Sequence, residues 1–417
     1  MRKSNAQRAQ NRNAAFYALG VVTILNFLNY IDRFVLAAVL PRVKVELVLT
    51  DFQLGLLANA FLVAYFATSP VFGVLGDRLA RPRLMAAGVC AWSVATAVAG
   101  VTRNFVQLLM ARASVGVGEA AYATISPALL SDYFPRAERG RAFAIFYVAI
   151  PVGSAAGFLL GGALERAFGW RAAFYAVGLP GIALALLALR VADPPRGAAE
   201  ETEGQTQTDA LNISSTLAGL FRNLPYLGTV LGYAAYTFAL GGLAFFMPTF
   251  FERVRGLELS RADYVVGSVT VLAGLGGTFL GGYLGDWTAA RIKHGQLWLS
   301  GVSSVAAILP SWLALTVASS PMYFVWFFIA EFLLFLSTGP VNVVIVSVVP
   351  VGARAMAMAV SIFAIHLLGD ALSPPIIGRL ADIHGLAQAV LIVPAAIAIS
   401  GLIWIGTAVV GRTSDEK

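Results

Sequence analysis

The segment Asn29-Tyr30-Ile31-Asp32-Arg33-Phe34 sets a carboxylate beside a guanidinium inside a stretch, Phe16 to Leu40, that carries no other charge. Each charge at the centre of a membrane helix costs about 2.5–3.5 kcal/mol even on mild insertion scales, so ions placed there usually line a pathway, a binding site or a proton relay. Farther along, Arg112, Gly116 and Glu119 follow one another at four and then three residues, which puts all three on one face of a helix. The two charges of that face lie about 10 Å apart along the axis, and Gly116 leaves room between them for a ligand or for the first helix. Asn26, Asn29, Tyr30 and Arg33 form one stripe of the first helix, with Asp32 turned roughly 100° away. Glu331 and Asp370 complete six charges within apolar segments, and His366 stands at i,i+4 from Asp370. Unpaired, the six would cost roughly 15–20 kcal/mol, above the whole stability of a typical protein. They must therefore be paired, neutralised or hydrated.

Two kinds of chemistry follow. Desolvation favours the neutral form of a carboxylate, which makes Glu119 a candidate proton carrier, with Asp32 next and the pH-sensitive pair His366–Asp370 after it. Guanidinium groups take phosphate by paired hydrogen bonds, which makes Arg33 and Arg112 candidate anion ligands. Asn29 and Tyr30 share the stripe of Arg33. The parsimonious arrangement sets Asp32 and Arg33 against Arg112 and Glu119 across a polar cavity. The alternative is a structural ion-pair network tying two helices together.

The elements that hold these groups are membrane helices. Apolar residues make up 58% of the 417, charged residues 12%, and mean hydropathy is +0.77, which excludes a soluble globular domain. Apolar runs between short polar breaks predict twelve helices, over 16–40, 52–75, 83–101, 105–130, 140–164, 170–190, 224–251, 262–285, 295–317, 322–349, 355–378 and 387–410. The polar interval 191–223 divides them into a first half, 1–190, and a second, 224–417. Its composition predicts a mostly mobile linker, with Ser214–Asn223 as a possible surface helix. Basic residues gather in alternate breaks (Arg2, Lys3, Arg8 and Arg12; Arg78, Arg81 and Arg83; Arg136, Arg139 and Arg141), which predicts cytoplasmic termini and a cell-membrane protein. The net charge of +7 is on this reading a topology signal, with no case for nucleic acid. Cys90 is the one cysteine, so no disulfide framework exists.

The halves repeat. Gly73-Val74-Leu75-Gly76-Asp77 ends the second span and Gly282-Tyr283-Leu284-Gly285-Asp286 ends the eighth, half a chain later. Gly153, Gly157 and Gly161 recur every four residues, as do Gly277, Gly281 and Gly285, the spacing of close helix contact in lipid.

Gly73 to Arg83 resembles the signature between helices 2 and 3 of the major facilitator superfamily, with Ala80 where glycine is usual, and Leu108 to Gly118 is similar to its helix 4 motif. Asn29 to Phe34, Arg112 with Val115 to Ala120, Phe146 to Ser154, and Asp193-Pro194-Pro195-Arg196-Gly197 together resemble the Spinster family. The resemblance implies an all-helical fold of two six-helix halves that transports a lysolipid or a sphingosine-1-phosphate-like lipid, with protons coupled. It also implies that Asp77 meets the N-terminus of the eleventh helix near Arg354, with Arg81 and Asp132 as partners in a cytoplasmic gate.

The second half offers Tyr233 and Tyr236 on one face of its first span and Phe328, Phe332 and Phe335 on one face of its fourth. Polar groups on one wall and rings such as Tyr236 and Phe332 on the other suit a headgroup with a hydrocarbon tail. All four lysines follow residues other than glycine, so no phosphate loop is present, and neither His-Glu-x-x-His nor Gly-x-Ser-x-Gly occurs. An ATP-driven pump and a membrane enzyme are thereby disfavoured, and no cofactor is called for. Another small organic solute, or a sensor built on the same scaffold, remain the alternatives. The expected unit is a monomer.

Overall fold

The computed structural model describes residues 2–200, 213–318 and 321–414. Residues 201–212 of the polar interval lie outside them, as do the side chains of Arg2, Lys3 and Arg8, which entered the topology argument. The described residues are helical, with no strand among them.

The helices are α1 (Arg2–Glu46), α2 (Asp51–Arg78), α3 (Arg81–Ala99), α4 (Phe105–Tyr133), α5 (Arg139–Tyr147), α6 (Ala149–Phe168), α7 (Trp170–Leu189) and α8 (Ile213–Arg222). They continue with α9 (Leu224–Arg253), α10 (Leu259–Ala289), α11 (Gly295–Thr316), α12 (Met322–Phe335), α13 (Thr338–Ser347), α14 (Arg354–Ile365), α15 (Ser373–His384), α16 (Leu386–Ala389) and α17 (Ile392–Ser414). Starts are set by local chemistry. Thr50 and Gln53 form a reciprocal capping box at α2, Asn104 accepts from the Gln107 amide at α4, and Asn223 does the same for Tyr226 at α9.

Among the described residues, eleven segments are long and apolar enough to cross a membrane. The twelfth expected span, α4, has 29 residues and meets the length but carries Arg112 and Glu119 in its middle. Three expected spans are broken. Span 140–164 is α5 then α6, interrupted just before Pro151, whose missing amide opens the helical ladder. Span 322–349 is α12 then α13, interrupted just before Pro340. Span 355–378 runs through α14, a π-helical turn at His366–Asp370 and α15, which begins at Ser373-Pro374-Pro375.

The chain forms two compact units, each drawn from separate stretches. One comprises Met1–Pro135, Ile145–Leu211 and Val351–Val360; the other comprises Arg136–Ala144, Asn212–Pro350 and Ser361–Lys417. In the first, α2 packs on α4, α1 on α6, and α3 on both α4 and α7. Gly153, Gly157 and Gly161 of α6 lie so close to α1 that a Cβ would stand 2.7–2.8 Å from Phe27, Ile31 and Ala38. In the second, α9 packs on α17, α17 on α11, and α12 on α10 and α11. Gly277 and Gly281 of α10 lie against the α12 backbone at Phe332 and just beyond its end at Leu336.

Candidate functional site

The first unit brings Asp32, Arg33, Arg112 and Glu119 into direct contact, where sequence alone placed a cavity between them. Asp32 and Glu119 are fully buried and Arg112 is 2% exposed. Arg33 Nε donates to Glu119 Oε2 at 2.7 Å. Arg112 Nη1 stands 3.9 Å from Asp32 Oδ1, near enough for attraction and too far for a hydrogen bond. The pairing crosses between α1 and α4, because Asp32 and Arg33 leave the first helix in different directions. Thr96 of α3 donates its hydroxyl to Asp32 Oδ2.

The Arg33 guanidinium sits among three rings, with its carbon 5.0 Å from the centroid of Tyr30, 4.9 Å from Phe61 and 4.7 Å from Tyr65. Arg112 lies 5.2 Å from the Phe61 ring. Ring faces stabilise a cation without neutralising it, so both guanidiniums keep their appetite for an anion. Polar valence is left over as well: Arg112 Nε and Nη1, Asp32 Oδ1 and Glu119 Oε1 are buried and make no hydrogen bond among the described residues. Buried polar atoms in that condition are costly and mark a place where a further group is wanted.

Gly116 serves a different neighbour from the one expected. A Cβ there would overlap the Phe61 carbonyl oxygen and stand 3.0 Å from the Tyr65 amide, so the glycine admits α2, not α1 or a ligand. That close approach is what carries Phe61 and Tyr65 to the arginines. Asn29 is 2% exposed and Asn26 donates to the Phe146 carbonyl at 2.9 Å, near the break before Pro151.

Asp77 ends α2 on the first turn of α14. Its Oδ1 accepts from the Ala355 amide at 3.0 Å and its Oδ2 from the Met356 amide at 2.9 Å, which satisfies two amides that no helix can pair internally. Behind it, Asp132 accepts from both Arg81 and Arg354, all three of them buried. The second unit repeats the device: Asp286 ends α10 and accepts from the Gly140 amide at 2.7 Å and the Arg141 amide at 3.0 Å, on the first turn of α5. Asp77→Ala strands two amides, so a cysteine in place of Met356, tested with Cys90 replaced by serine, should react with an impermeant maleimide about tenfold faster than in the parent. Equal rates would remove Asp77 from the gate.

The second unit holds the remaining candidates. Tyr236 is buried between Tyr233 and Trp404, with its hydroxyl donating to the Leu334 carbonyl at 3.0 Å. Phe332 stacks on Phe328 at 6.2 Å. His366 Nδ1 lies 2.9 Å from Asp370 Oδ2 within the π-helical turn, a local irregularity that often accompanies function. Glu331 is 3% exposed.

The surface helix expected at 214–223 is present as α8, whereas the first part of the polar interval is tied down. Val191–Glu200 is tied to the first unit: Asp193 binds Arg81, Arg196 donates to the Gly76 and Leu79 carbonyls, and the Gly197 amide donates to Asp132. Polar composition predicted mobility because it offers nothing to an apolar core, whereas this stretch is held by ions and helix ends. Phe61, Tyr65 and Thr96 also went unread. The i,i+4 spacing of Phe61 and Tyr65 was available as a signal, but aromatic pairs are common in any membrane helix.

The Major Facilitator Superfamily profile matches residues 22–365. Protein spinster homolog 3 of Danio rerio is 33% identical over 389 residues, covering 89% of this chain and 78% of that protein. Protein spinster homolog 1 of Homo sapiens is 35% identical over 386 residues, covering 87% and 72%. The chain belongs to the Spinster family of the major facilitator superfamily. Among solved structures, a bacterial homolog of the human lysosomal transporter Spinster, inward-facing and unoccupied, aligns with a TM-score of 0.67 at 25% identity, covering 95% of this chain and 97% of that one. The Escherichia coli fucose:proton symporter, at 14% identity and a TM-score of 0.75 over 94% and 99%, shares the fold. The Spinster-type chain is thus an all-helical, multi-pass membrane transporter and not an enzyme.

Proposed function

We propose that this Spinster-type transporter moves a lipid-like amphipathic substrate, a lysolipid or a sphingosine-1-phosphate-like molecule, by alternating access coupled to protons. The observation that carries the reading is the buried Arg33–Glu119 ion pair, set beside Arg112 and Asp32. One guanidinium has two possible anions. While Glu119 is ionised it occupies Arg33. When Glu119 takes a proton, Arg33 keeps its charge inside the ring of Tyr30, Phe61 and Tyr65 and needs a replacement anion. A phosphate supplies it, with two oxygens for two N–H groups on one edge of the guanidinium, and the unused donors of Arg112 lie alongside. Proton and phosphate therefore favour the same state of the site.

In this scheme Asn29 and Tyr30 line the headgroup end and Tyr236 and Phe332 serve the chain. Asp32 shares the proton load, and His366 with Asp370 is the second candidate for proton coupling. Asp77, Arg81, Asp132 and Arg354 act as the gate. The protein works as a monomer in the cell membrane, with both termini cytoplasmic, as the distribution of arginines favours.

The test is uptake of a radiolabelled lysophospholipid into proteoliposomes under two opposite imposed pH gradients, with a labelled hydrophilic sugar in parallel. Lysophospholipid accumulation should reverse sign with the gradient and approach tenfold per pH unit for each coupled proton. Identical uptake under both gradients would remove proton coupling, and brisk sugar transport without lysophospholipid transport would remove the lipid substrate.

A further inference from the structure

The stretch Asp193–Glu200 follows α7 in the chain, and each of its polar groups is matched to a specific end or charge of the first unit. Asp193 lies on the N-terminus of α3, accepting from the Arg81 amide at 3.1 Å through Oδ2 and from Arg81 Nε at 2.8 Å through Oδ1. Arg196 lies on the opposite kind of helix end, donating to the Gly76 carbonyl at 3.0 Å and the Leu79 carbonyl at 3.1 Å where α2 finishes. Acid at a helix N-terminus and base at a helix C-terminus are the favourable placements for the helix dipole. Gly197 turns the chain at φ +79° and points its amide at Asp132 Oδ1, 2.9 Å away. Glu200 then reaches Arg354, the first residue of α14. Arg81 also binds the Pro194 carbonyl at 2.7 Å.

The charges are arranged around Asp132. That carboxylate faces two buried guanidiniums, Arg81 from α3 and Arg354 from α14. The stretch adds one carboxylate to each, Asp193 to Arg81 and Glu200 to Arg354. A buried cation between two acids is far better placed than two cations competing for one. Asp132 is also held by the same stretch through the Gly197 amide, so the carboxylate that joins α4 to α14 has a third anchor while the stretch is docked.

We propose that Asp193–Glu200 is a strap that holds the N-terminus of α14 on Asp77, so that the α2–α14 contact opens only when the strap lifts. Asp193, Gly197 and Glu200 are positioning residues of the gate: they act through Arg81, Asp132 and Arg354 and touch no substrate. The strap rests on the gating role proposed for Asp77, but the contact it secures is observed on its own. The equivalent contact in the second unit, Asp286 on α5, is backed by the Arg141 side chain at 3.2 Å and by no such segment among the described residues.

The geometry supplies a lock. A Cβ on Gly197 would stand 3.7 Å from the Val351 Cβ, the separation found in disulfides, though at φ +79° a cysteine there carries backbone strain. The experiment uses the full-length protein in nanodiscs with Cys90 replaced by serine and no substrate added. In Gly197→Cys/Val351→Cys, mild oxidation should form the cross-link, slow amide hydrogen exchange of the segment 351–360 by about tenfold or more, and be reversed by reductant. In Asp193→Asn/Glu200→Gln, which keeps Gly197 and its turn, exchange of the same segment should rise about tenfold. Segment 351–360 includes the Ala355 and Met356 amides that bind Asp77, so a strap that merely covered the surface would change its own exchange and leave theirs alone. Unchanged exchange of 351–360 in Asp193→Asn/Glu200→Gln, or in Gly197→Cys/Val351→Cys once the cross-link has formed, would overturn the strap. A loosened 351–360 with undiminished transport would leave the strap standing and remove the gating role instead.

Discussion

Glu119→Gln should abolish the pH-driven accumulation of a phosphate-bearing amphiphile while leaving its binding intact. Glutamine holds the shape of the protonated acid, so Arg33 loses its charged partner at every pH. A pH unit is worth 1.36 kcal/mol per coupled proton, which limits the parent to about tenfold accumulation per unit. The variant should equilibrate the substrate across the membrane and accumulate none. Its affinity at high pH should match that of the parent at low pH. In the parent, binding of the anion should weaken as pH rises, because an ionised Glu119 reclaims Arg33; in the variant that slope should vanish. Flux under opposite gradients and binding at two pH values are the two readouts. A variant that still accumulates substrate with the parent's pH dependence would move the proton to Asp32 first and to the His366–Asp370 pair second.

Much of this site is visible in the sequence as faces and little of it as neighbours. Helical periodicity states that Arg112 and Glu119 share a side of α4 and that Asp32 turns away from Arg33. It has no means of stating that Arg33 takes Glu119 and that Arg112 is left 3.9 Å from Asp32. Those pairings depend on where two helices cross. Gly116 illustrates the gap well. A small residue between two charges reads as space for a ligand or for α1, yet the space is taken by the α2 backbone at Phe61.

The repeat of Gly73–Asp77 and Gly282–Asp286 is legible because the same chemistry at a helix end leaves strings that differ only at Val74 and Tyr283. What each aspartate touches was not, since Ala355 and Gly140 carry nothing distinctive in their side chains and bond through their amides. Hydropathy likewise marks where the chain is apolar and not where a helix breaks. Pro70, Pro127 and Pro180 remain inside unbroken helices, while the span holding Pro151 is interrupted just upstream. The docked stretch Asp193–Glu200 leaves the weakest trace in the sequence. Composition tells whether a segment can bury apolar surface, and a segment held by helix ends and buried arginines passes as linker on that criterion.

Arg33→Lys should separate a phosphate-bearing lysolipid from a neutral amphiphile of equal chain length. Arginine presents a flat fork that meets two phosphate oxygens at once, whereas lysine is a compact, strongly hydrated point charge. The surroundings sharpen the difference. Three rings at 4.7–5.0 Å frame the planar guanidinium on Tyr30, Phe61 and Tyr65, and an ammonium would keep the charge but lose the second hydrogen bond and part of the ring contact. Loss of one hydrogen bond to a charged group costs about 1.5–3 kcal/mol, so phosphate-dependent affinity should fall roughly ten- to a hundredfold. A monoacylglycerol offers no anion to Arg33, so its binding should change by less than about twofold on the same grounds. The Arg33–Glu119 pair survives as Lys–Glu in the variant, which keeps the fold loaded with a paired charge and makes a difference between ligands, not a general loss, the quantity to read. Arg112→Lys provides the internal comparison. Its guanidinium lies beside a single ring and has two nitrogens without hydrogen bonds, so it should contribute to the same phosphate less steeply. Equal losses for both ligands at Arg33 would count against phosphate recognition, and would return the ion pair to a structural tie between α1 and α4.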